Sequence, residues 1–245
     1  MMLGARTAAW AQSGGGWTNP YITDGLVAMW DGEWNAGGGV HNTDGGMVDI
    51  SGNGHDLLFK DWTKHELGAN YVVFLDVVNS YATVVSPKEL QDSVEHESIT
   101  VEGVTWNDTG KTGNLLTFKK AYPTEEFVFM PRSWNEQRTG FLHHVGNANV
   151  AYLPNDTPST IYSHSLVYDK GIAYATINLR YKTVAEGITP FVVSGGYDVG
   201  VGSRVDTDAS RFVGKLYNLR VYNRALTASE VAANYAVDKA RFNFQ

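Results

Sequence analysis

The chain has 245 residues, with 26 aspartates and glutamates against 19 lysines and arginines, and it contains no cysteine. The missing cysteine excludes disulfides, thiolate metal sites and thiol nucleophiles. The net charge of −7 argues against a protein that holds nucleic acid by neutralising its phosphates, and no apolar run reaches the roughly 18–20 residues of a membrane-spanning helix.

Residues 1–20 are predicted to form a flexible N-terminal arm, since they end in the glycine-rich stretch Gly14–Pro20. Only Ala8–Ala11 follow Arg6 as an apolar run, whereas a secretory signal needs about 7–15 apolar residues. We therefore expect a mature N-terminus with no signal peptide. The arm is either a frayed end or a segment that docks on a partner through its tryptophans.

From residue 24 onward, the sequence has the pattern of short β-strands. Runs rich in β-branched and aromatic residues alternate with Gly, Asn, Asp and Pro clusters, as in Tyr71–Val78, Ile99–Trp106, Thr160–Tyr168, Ile172–Arg180 and Phe212–Tyr222. Because no helical pattern intervenes, this order favours a sandwich or jelly roll over alternating strands and helices. No linker divides residues 21–245, which are predicted to form one domain.

One helix is predicted, and it lies at the C-terminus. Thr227 and Glu230 have the spacing of a capping box, in which each side chain satisfies an amide at the start of the helix. Val231, Tyr235 and Phe242 then recur near helical spacing. We expect this helix to cover an open edge or rim of the sheets.

The two ends of the domain resemble laminin-G-like domains of the concanavalin A-like superfamily. Asp24–Gly32 and Asp49–Leu57 resemble the opening strand and turn of these domains, and Phe212–Tyr235 resembles their last strand, corner and terminal helix. The resemblance implies an all-β, concanavalin A-like jelly-roll sandwich of two antiparallel sheets with one C-terminal helix. It also implies similarity to proteins of gut bacteria and their phages or prophages.

Glycan binding is the function that the sequence predicts for such a domain. Sugars have apolar faces that stack on aromatic rings and hydroxyls that pair with Asn, Asp and backbone groups. Aromatic and amide or acid residues in turn-like segments provide the candidate ligand-binding residues: Trp34, Trp62, Trp106, Asn107, Asp108, Trp134 and Asn135. The alternative for any one of these tryptophans is packing in the core or at the rim.

Catalysis is the alternative function, because the superfamily also includes glycoside hydrolases. Sugar hydrolysis uses two carboxyl groups roughly 5–10 Å apart, and enzymes of the superfamily carry them in a Glu-x-Asp-x-x-Glu strand that this sequence lacks. The nearest groupings are Asp31 with Glu33, Glu95 with Glu97, and Glu125 with Glu126. We therefore expect a non-catalytic module and no enzyme, with a glycoside hydrolase or lyase as the alternative.

Calcium is the one cofactor that the sequence suggests, since relatives implied by the resemblance hold a calcium ion at the sandwich rim. Calcium prefers carboxylate and carbonyl oxygens in loops. The candidate ligands lie in Gly- and Asn-rich turns: Asp31, Asp44, Asp49, Asn107 and Asp108. Alternatively, these are ordinary turn residues that bond to their own backbone.

The expected partner is a glycan or cell-surface polysaccharide. With its arm, the chain is predicted to be an adhesion module, either a phage virion protein or a cell-surface decoration protein, attached to the larger assembly through residues 1–20. The expected location is therefore a virion, the cell surface or the extracellular space.

Overall fold

The structure is a computed structural model. It describes residues 19–34, 45–94, 98–107, 113–119, 126–130, 138–143, 149–154, 160–185, 198–203 and 211–243. The N-terminal arm predicted over residues 1–20 lies almost entirely outside these ranges.

Strands make up most of the described residues. In chain order they are β1 (Leu26–Asp31), β2 (Gly46–Met47), β3 (Leu57–Phe59), β4 (His65–Leu67), β5 (Val72–Phe74), β6 (Ala82–Val84), β7 (Ser98–Asn107), β8 (Leu116–Lys119), β9 (Glu126–Met130), β10 (Arg138–His143), β11 (Asn149–Pro154), β12 (Ile161–Asp169), β13 (Ile172–Ile177), β14 (Arg180–Ala185), β15 (Asp198–Val201) and β16 (Gly214–Tyr222). The helices are α1 (Pro87–Val94) and α2 (Ala228–Phe242), and a 3₁₀ turn spans Trp62–Lys64. Neither helix is long and apolar enough to cross a membrane.

These strands form two sheets, and neighbouring strands in each run antiparallel. Sheet A has the order β14-β13-β12-β7-β16-β5-β4, and β1 also pairs with β16. Sheet B has the order β11-β10-β9-β8-β15-β6-β3-β2. The predicted fold class, an all-β sandwich of two antiparallel sheets with one C-terminal helix, is confirmed.

The main core fills the space between the two sheets, because alternate side chains of each strand point inward. Trp30, Phe74, Phe118 and Phe129 are among its largest members, and all are buried. The Trp30 indole N–H donates to the carbonyl of His55 at 2.8 Å, which satisfies its polar atom inside the core. Burial of each such side chain contributes roughly 1.5–3 kcal/mol.

The turn expected within Asp49–Leu57 is present at Ser51–Gly54, and it joins β2 to β3. Gly52 and Gly54 have φ angles of +91° and +83°, in the left-handed region that favours glycine. The Asn53 side chain donates to the carbonyl of Val27 at 3.0 Å, so the turn is fastened to β1.

Helix α2 has the predicted start. Thr227 is the N-cap residue, and its hydroxyl and the Glu230 carboxylate form the two reciprocal bonds of a capping box. The expectation that the helix covers a sheet edge is wrong. Its Asn234 and Asp238 side chains bond to residues of β7, β12 and β16, which are central strands, so α2 lies on the outer face of sheet A.

Helix α1 was not anticipated from the sequence. It begins at Pro87, which suits a first helical position because the missing N–H has no partner there in any case. Leu90 and Val94, four residues apart, are both buried in the main core. The helix is only two turns long, too short for its apolar period to stand out from the neighbouring strands.

Candidate functional site

A buried charge cluster lies between α2 and the outer face of sheet A. We call Glu102, Arg220 and Asp238 the Arg220 cluster. The two terminal nitrogens of Arg220 each donate to Asp238 at 2.8 Å, and its Nε donates to Glu102 at 3.2 Å. The side chains of Arg220 and Asp238 are 0% exposed and that of Glu102 is 3% exposed, so the cluster holds the helix on the sheet away from water.

Neighbouring polar groups complete the hydrogen bonding of the Arg220 cluster. Asp238 accepts from the Tyr21 hydroxyl at 2.7 Å, from Asn218 at 3.0 Å and from Ser163 at 3.1 Å, in addition to Arg220. Burial pushes the pKa of Asp238 upward, but Arg220 and these donors outweigh it, so the pKa is lowered overall. Asp238 is therefore held in its charged form.

Glu102 behaves in the opposite way within the same cluster. Burial raises its pKa to about 7, although the nearby Arg220 guanidinium opposes the shift. Its carboxylate accepts from Asn234 at 2.7 Å as well as from Arg220. The two carboxylates around the Arg220 guanidinium thus differ in proton affinity, because Asp238 accepts more hydrogen bonds than Glu102 does.

A second arginine with two carboxylates lies nearby, at the C-terminal end of α2. We call Asp31, Glu33 and Arg241 the Arg241 cluster. Arg241 donates to both oxygens of Asp31 at 2.7 and 2.9 Å and to Glu33 at 2.9 Å. The side chain of Arg241 is 10% exposed and that of Glu33 is 46% exposed, so this cluster reaches the surface.

The Arg241 cluster also positions Trp34. Asp31 accepts hydrogen bonds from the backbone N–H groups of Glu33 and Trp34, which fixes the turn after β1. The guanidinium carbon of Arg241 lies 3.3 Å from the centre of the Trp34 ring. One face of this indole is therefore covered by a cation.

A series of aromatic and cationic contacts continues from Trp34 across the outer face of sheet A. We call this set the aromatic band: Trp34, Arg241, Phe242, Tyr217, Tyr71, Lys215 and Trp106. Arg241 lies 4.6 Å from the Phe242 ring, Phe242 and Tyr217 have ring centres 5.2 Å apart, and Tyr217 and Tyr71 have ring centres 5.4 Å apart. Each member thus touches the next.

Lys215 closes the far end of the aromatic band. Its Nζ lies 4.5 Å from the centre of the Tyr71 ring and 5.1 Å from that of Trp106. Tyr217 and Phe242 are buried, whereas Tyr71, Trp106 and Trp34 are only half-buried. The band therefore presents partly exposed rings above a buried aromatic floor.

Strand register explains why Lys215 and Trp106 meet. Lys215 on β16 pairs with Trp106 on β7, and Trp106 pairs in turn with Ile161 on β12. Residues directly opposite one another on adjacent strands project to the same face of a sheet. A register irregularity between Leu216 and Asn218 resets the alternation, so Tyr217 and Asn218 both lie on the outer face.

The predicted ligand-binding residues fall into three groups. Trp34 and Trp106 lie at opposite ends of the aromatic band. The backbone of Trp62 lies in the 3₁₀ turn before the edge strand β4, and Asn107 is the last residue of β7. Asp108, Trp134 and Asn135 lie outside the described residues, so their assignment stays a prediction.

The candidate calcium ligands have other partners where the structure describes them. Asp31 binds Arg241, and Asp49 accepts from the backbone N–H groups of Met29, Ser51 and His55. Asp44 and Asp108 lie outside the described residues. Within the described ranges, no group of three or more histidine, aspartate or glutamate side chains is arranged to hold a metal ion. The calcium site stays a prediction.

The structure describes only some of the acidic residues that the sequence offered as candidates for catalysis. Asp31 and Glu33 share the Arg241 guanidinium between them. Glu95, Glu97 and Glu125 lie outside the described residues.

Sequence reasoning missed most of the aromatic band. Tyr71, Lys215 and Tyr217 stand in strands, where an aromatic or lysine residue is unremarkable, and Arg241 and Phe242 were assigned only to the helix. A cross-strand register would have been needed to see that they meet. The one local signal was the position of Tyr71 and Trp106 at strand ends next to turns.

Comparison with solved structures shows a common fold. Trypanosoma rangeli sialidase in complex with sialic acid matches with a TM-score of 0.63 at 15% identity, over 88% of this chain and 33% of that one. Domain 4 of AbnA, a GH43 extracellular arabinanase from Geobacillus stearothermophilus, in complex with arabinotriose, matches at 0.64 and 16%, over 86% and 98%. The binding domain of botulinum neurotoxin DC in complex with SialylT matches at 0.63 and 8%, over 88% and 52%.

The chain thus spans about a third of the sialidase and nearly all of the arabinanase domain. At these identities the likeness shows the fold, a β-sandwich found in carbohydrate-binding and carbohydrate-active proteins. No family model and no curated protein sequence matches the chain.

The comparison corrects the expectation that the chain is not an enzyme. That prediction rested on the missing Glu-x-Asp-x-x-Glu strand and on likeness to recognition modules, and it is wrong. The sialidase and the GH43 arabinanase are glycoside hydrolases, so this fold occurs within carbohydrate-cleaving proteins. The likeness assigns no catalytic role to any residue of this chain.

Proposed function

We propose that this chain is a carbohydrate-binding domain and that the aromatic band is its ligand site. The observation that carries the proposal is the placement of half-buried rings, Tyr71 and Trp106 above all, on a buried floor of Tyr217 and Phe242. The half-buried rings offer apolar faces on which sugar rings can stack, and packing on Tyr217 and Phe242 holds them at the surface.

The similar structures support the same ligand class. One is in complex with sialic acid, one with arabinotriose and one with SialylT. Because these proteins share the fold at low identity, a carbohydrate ligand for this chain is an inference from the fold, and its position on the aromatic band is an inference from the contacts.

The proposal is tested with a glycan array, followed by calorimetric titration of the glycans that bind. We expect Trp106→Ala and Tyr71→Ala each to weaken binding by at least about tenfold, because central stacked aromatics dominate such interfaces. Trp34→Ala is expected to have a smaller effect, since Arg241 covers one face of its ring and is held there by Asp31 and Glu33. Lys215, over Tyr71 and Trp106, has no such carboxylate partner among the described residues and is more easily displaced. Tyr174→Ala, an exposed tyrosine on β13 that is not part of the band, is the matched control.

Gly68→Ala tests the position of the Tyr71 ring without removing it. A Cβ at residue 68 would lie 2.3 Å from atoms of that ring, so the ring must move. We expect weaker glycan binding with a loss of stability under about 1 kcal/mol. Binding that is indifferent to Gly68→Ala and to all three band substitutions, or no binding to any glycan, would overturn the proposal.

A second candidate function is glycan cleavage, favoured by the occurrence of the fold in a sialidase and an arabinanase. It is tested by measuring new reducing ends for every glycan that binds, with Asp31→Asn and Glu33→Gln as variants. Turnover that these two variants leave unchanged would place the reacting groups elsewhere.

We further propose a laminin-G-like identity and attachment to a virion or cell surface through residues 1–20, as the sequence resemblance implies. Deletion of residues 1–20 is then expected to abolish incorporation into the larger assembly while the domain stays folded by circular dichroism. Unchanged incorporation would contradict the role of the arm.

A further inference from the structure

We propose that the aromatic band selects acidic saccharides, with the Lys215 ammonium pairing with an anionic substituent on a sugar stacked against Tyr71 or Trp106. This inference rests on the proposed function and adds the chemical class of the ligand. The substituent is a carboxylate or a sulfate, two sources of the same chemistry.

The two cations of the aromatic band differ in how their charge is neutralised. Arg241 donates to the carboxylates of Asp31 and Glu33, so its charge is already balanced. Lys215 contacts the faces of Tyr71 and Trp106, and no described carboxylate lies within ion-pair distance of its Nζ. Lys215 is therefore the band cation that can pair with an incoming anion.

Ring contacts leave the hydrogen-bonding capacity of Lys215 unused. An ammonium has three N–H donors, and within the described part of the chain no oxygen accepts from Nζ. A cation–π contact is weak at a partly exposed site compared with a charge-assisted hydrogen bond. Because the ring contact is weak, a stacking sugar can displace the ammonium from the face of a ring, and its N–H donors can then pair with an anionic oxygen of that sugar.

The position of Lys215 places that donor beside both stacking surfaces. Its strand β16 lies between β5, which follows Tyr71, and β7, which carries Trp106. A sugar stacked on either ring therefore has the ammonium within the reach of its substituents. A neutral sugar would receive only the stacking contact.

Because the chain is negatively charged overall, binding of an acidic saccharide would depend strongly on Lys215. With a net charge of −7, the protein as a whole repels acidic polymers. Affinity for them would therefore depend on the ion pair at Lys215.

The test is calorimetric titration of the full chain with matched pairs of oligosaccharides. The pairs are 3′-sialyllactose with lactose, oligogalacturonides with their methyl esters, and sulfated galactan oligosaccharides with their desulfated forms. We expect at least one acidic member to bind on the order of tenfold more tightly than its neutral partner. The pair that shows the preference identifies the anion as carboxylate or sulfate.

Lys215→Met is expected to abolish this preference, measured as the ratio of the affinities for the acidic and the neutral member. Lys60→Met makes the same charge change on an exposed lysine after β3, in the other sheet, and should leave the preference intact. Lys215→Arg should keep it. If Lys215→Met does not fold, Lys215→Gln is the second variant, and it should abolish the preference as well.

The outcomes separate the two proposals. Equal binding of acidic and neutral members, or a preference that survives Lys215→Met or Lys215→Gln, would overturn the inference and leave a carbohydrate-binding domain. Failure of every glycan to bind, on the array and in solution, would overturn the proposed function and the inference with it.

Discussion

Two clusters on the outer face of sheet A have the same composition, one arginine with two carboxylates, and differ in burial. In the Arg220 cluster, all three side chains are at most 3% exposed. In the Arg241 cluster, Arg241 is 10% exposed and Glu33 is 46% exposed. The two clusters therefore contribute differently to stability. An ion pair at the surface is screened by water and salt, whereas loss of one partner from a buried ion pair is strongly destabilising.

The two clusters on α2 therefore have different roles. The Arg220 cluster joins the middle of the helix to β7 and β16, where water cannot replace a missing partner. The Arg241 cluster fixes the turn that carries Trp34, and it shares Arg241 with the aromatic band. Structure depends on the first cluster, and the second contributes chiefly to the shape of the candidate site.

The largest effect is expected for Asp238→Asn. It removes the charge that balances the buried Arg220 guanidinium, and breaking one partner of a buried ion pair costs about 3–5 kcal/mol. The measurement is urea unfolding at neutral pH. Asp92→Asn, the same change at an exposed residue of α1 that pairs with Lys88, should stay within about 0.5 kcal/mol. A loss for Asp238→Asn no larger than that of this control would contradict the assignment.

The next effect concerns Glu102 and depends on pH. Because burial raises its pKa from 4.5 to about 7, the folded state favours the protonated carboxyl. The stability that this proton contributes is fully present below pH 4.5 and is lost as the pH rises through about 7. A shift of this size corresponds to about 3 kcal/mol, and Glu102→Gln should lack this loss.

The measured quantity is the difference in free energy of unfolding between Glu102→Gln and the wild type, from acidic to slightly alkaline pH. Burial lowers the pKa values of His65 and His164 to about 4 and about 3, respectively. The stability that these two histidines contribute to the folded protein is therefore lost as the pH falls. Both histidines are present in both proteins, so their contribution cancels in the difference. A difference that does not change with pH would show that Glu102 is not protonated on folding.

The smallest effect is expected for Glu33→Gln in the Arg241 cluster. Arg241 keeps both bonds to Asp31, and Glu33 is half-exposed, so the loss should be under about 1 kcal/mol. It should also decrease at high salt, unlike the loss in Asp238→Asn. Thermal unfolding at two salt concentrations provides the measurement. If Glu33→Gln were as destabilising as Asp238→Asn, burial would not be what distinguishes the clusters.

Local signals carried much of the fold prediction. The capping box at Thr227 and Glu230 depends on residues three apart, and the turn at Ser51–Gly54 depends on glycines that tolerate positive φ. Both are confirmed because nearby residues determine them. The position of α2 was predicted wrongly, since its partners Glu102 and Ser163 lie far away in the chain.

The candidate site was predicted in part for the same reason. Trp34 and Trp106 were selected by their turn-like surroundings, and the structure places both in the aromatic band. Lys215 and Tyr71 carry no such local mark. Only the pairing of β16 with β5 and β7 brings them to the same face.

The sequence by itself determined a sandwich of short antiparallel strands and a C-terminal helix, because alternation, turn chemistry and capping act over a few residues. The tertiary structure decided which side of sheet A the helix covers, which carboxylates meet each arginine, and which rings join Lys215. Those choices depend on strand register and on burial, and both arise only when residues distant in the chain pack together.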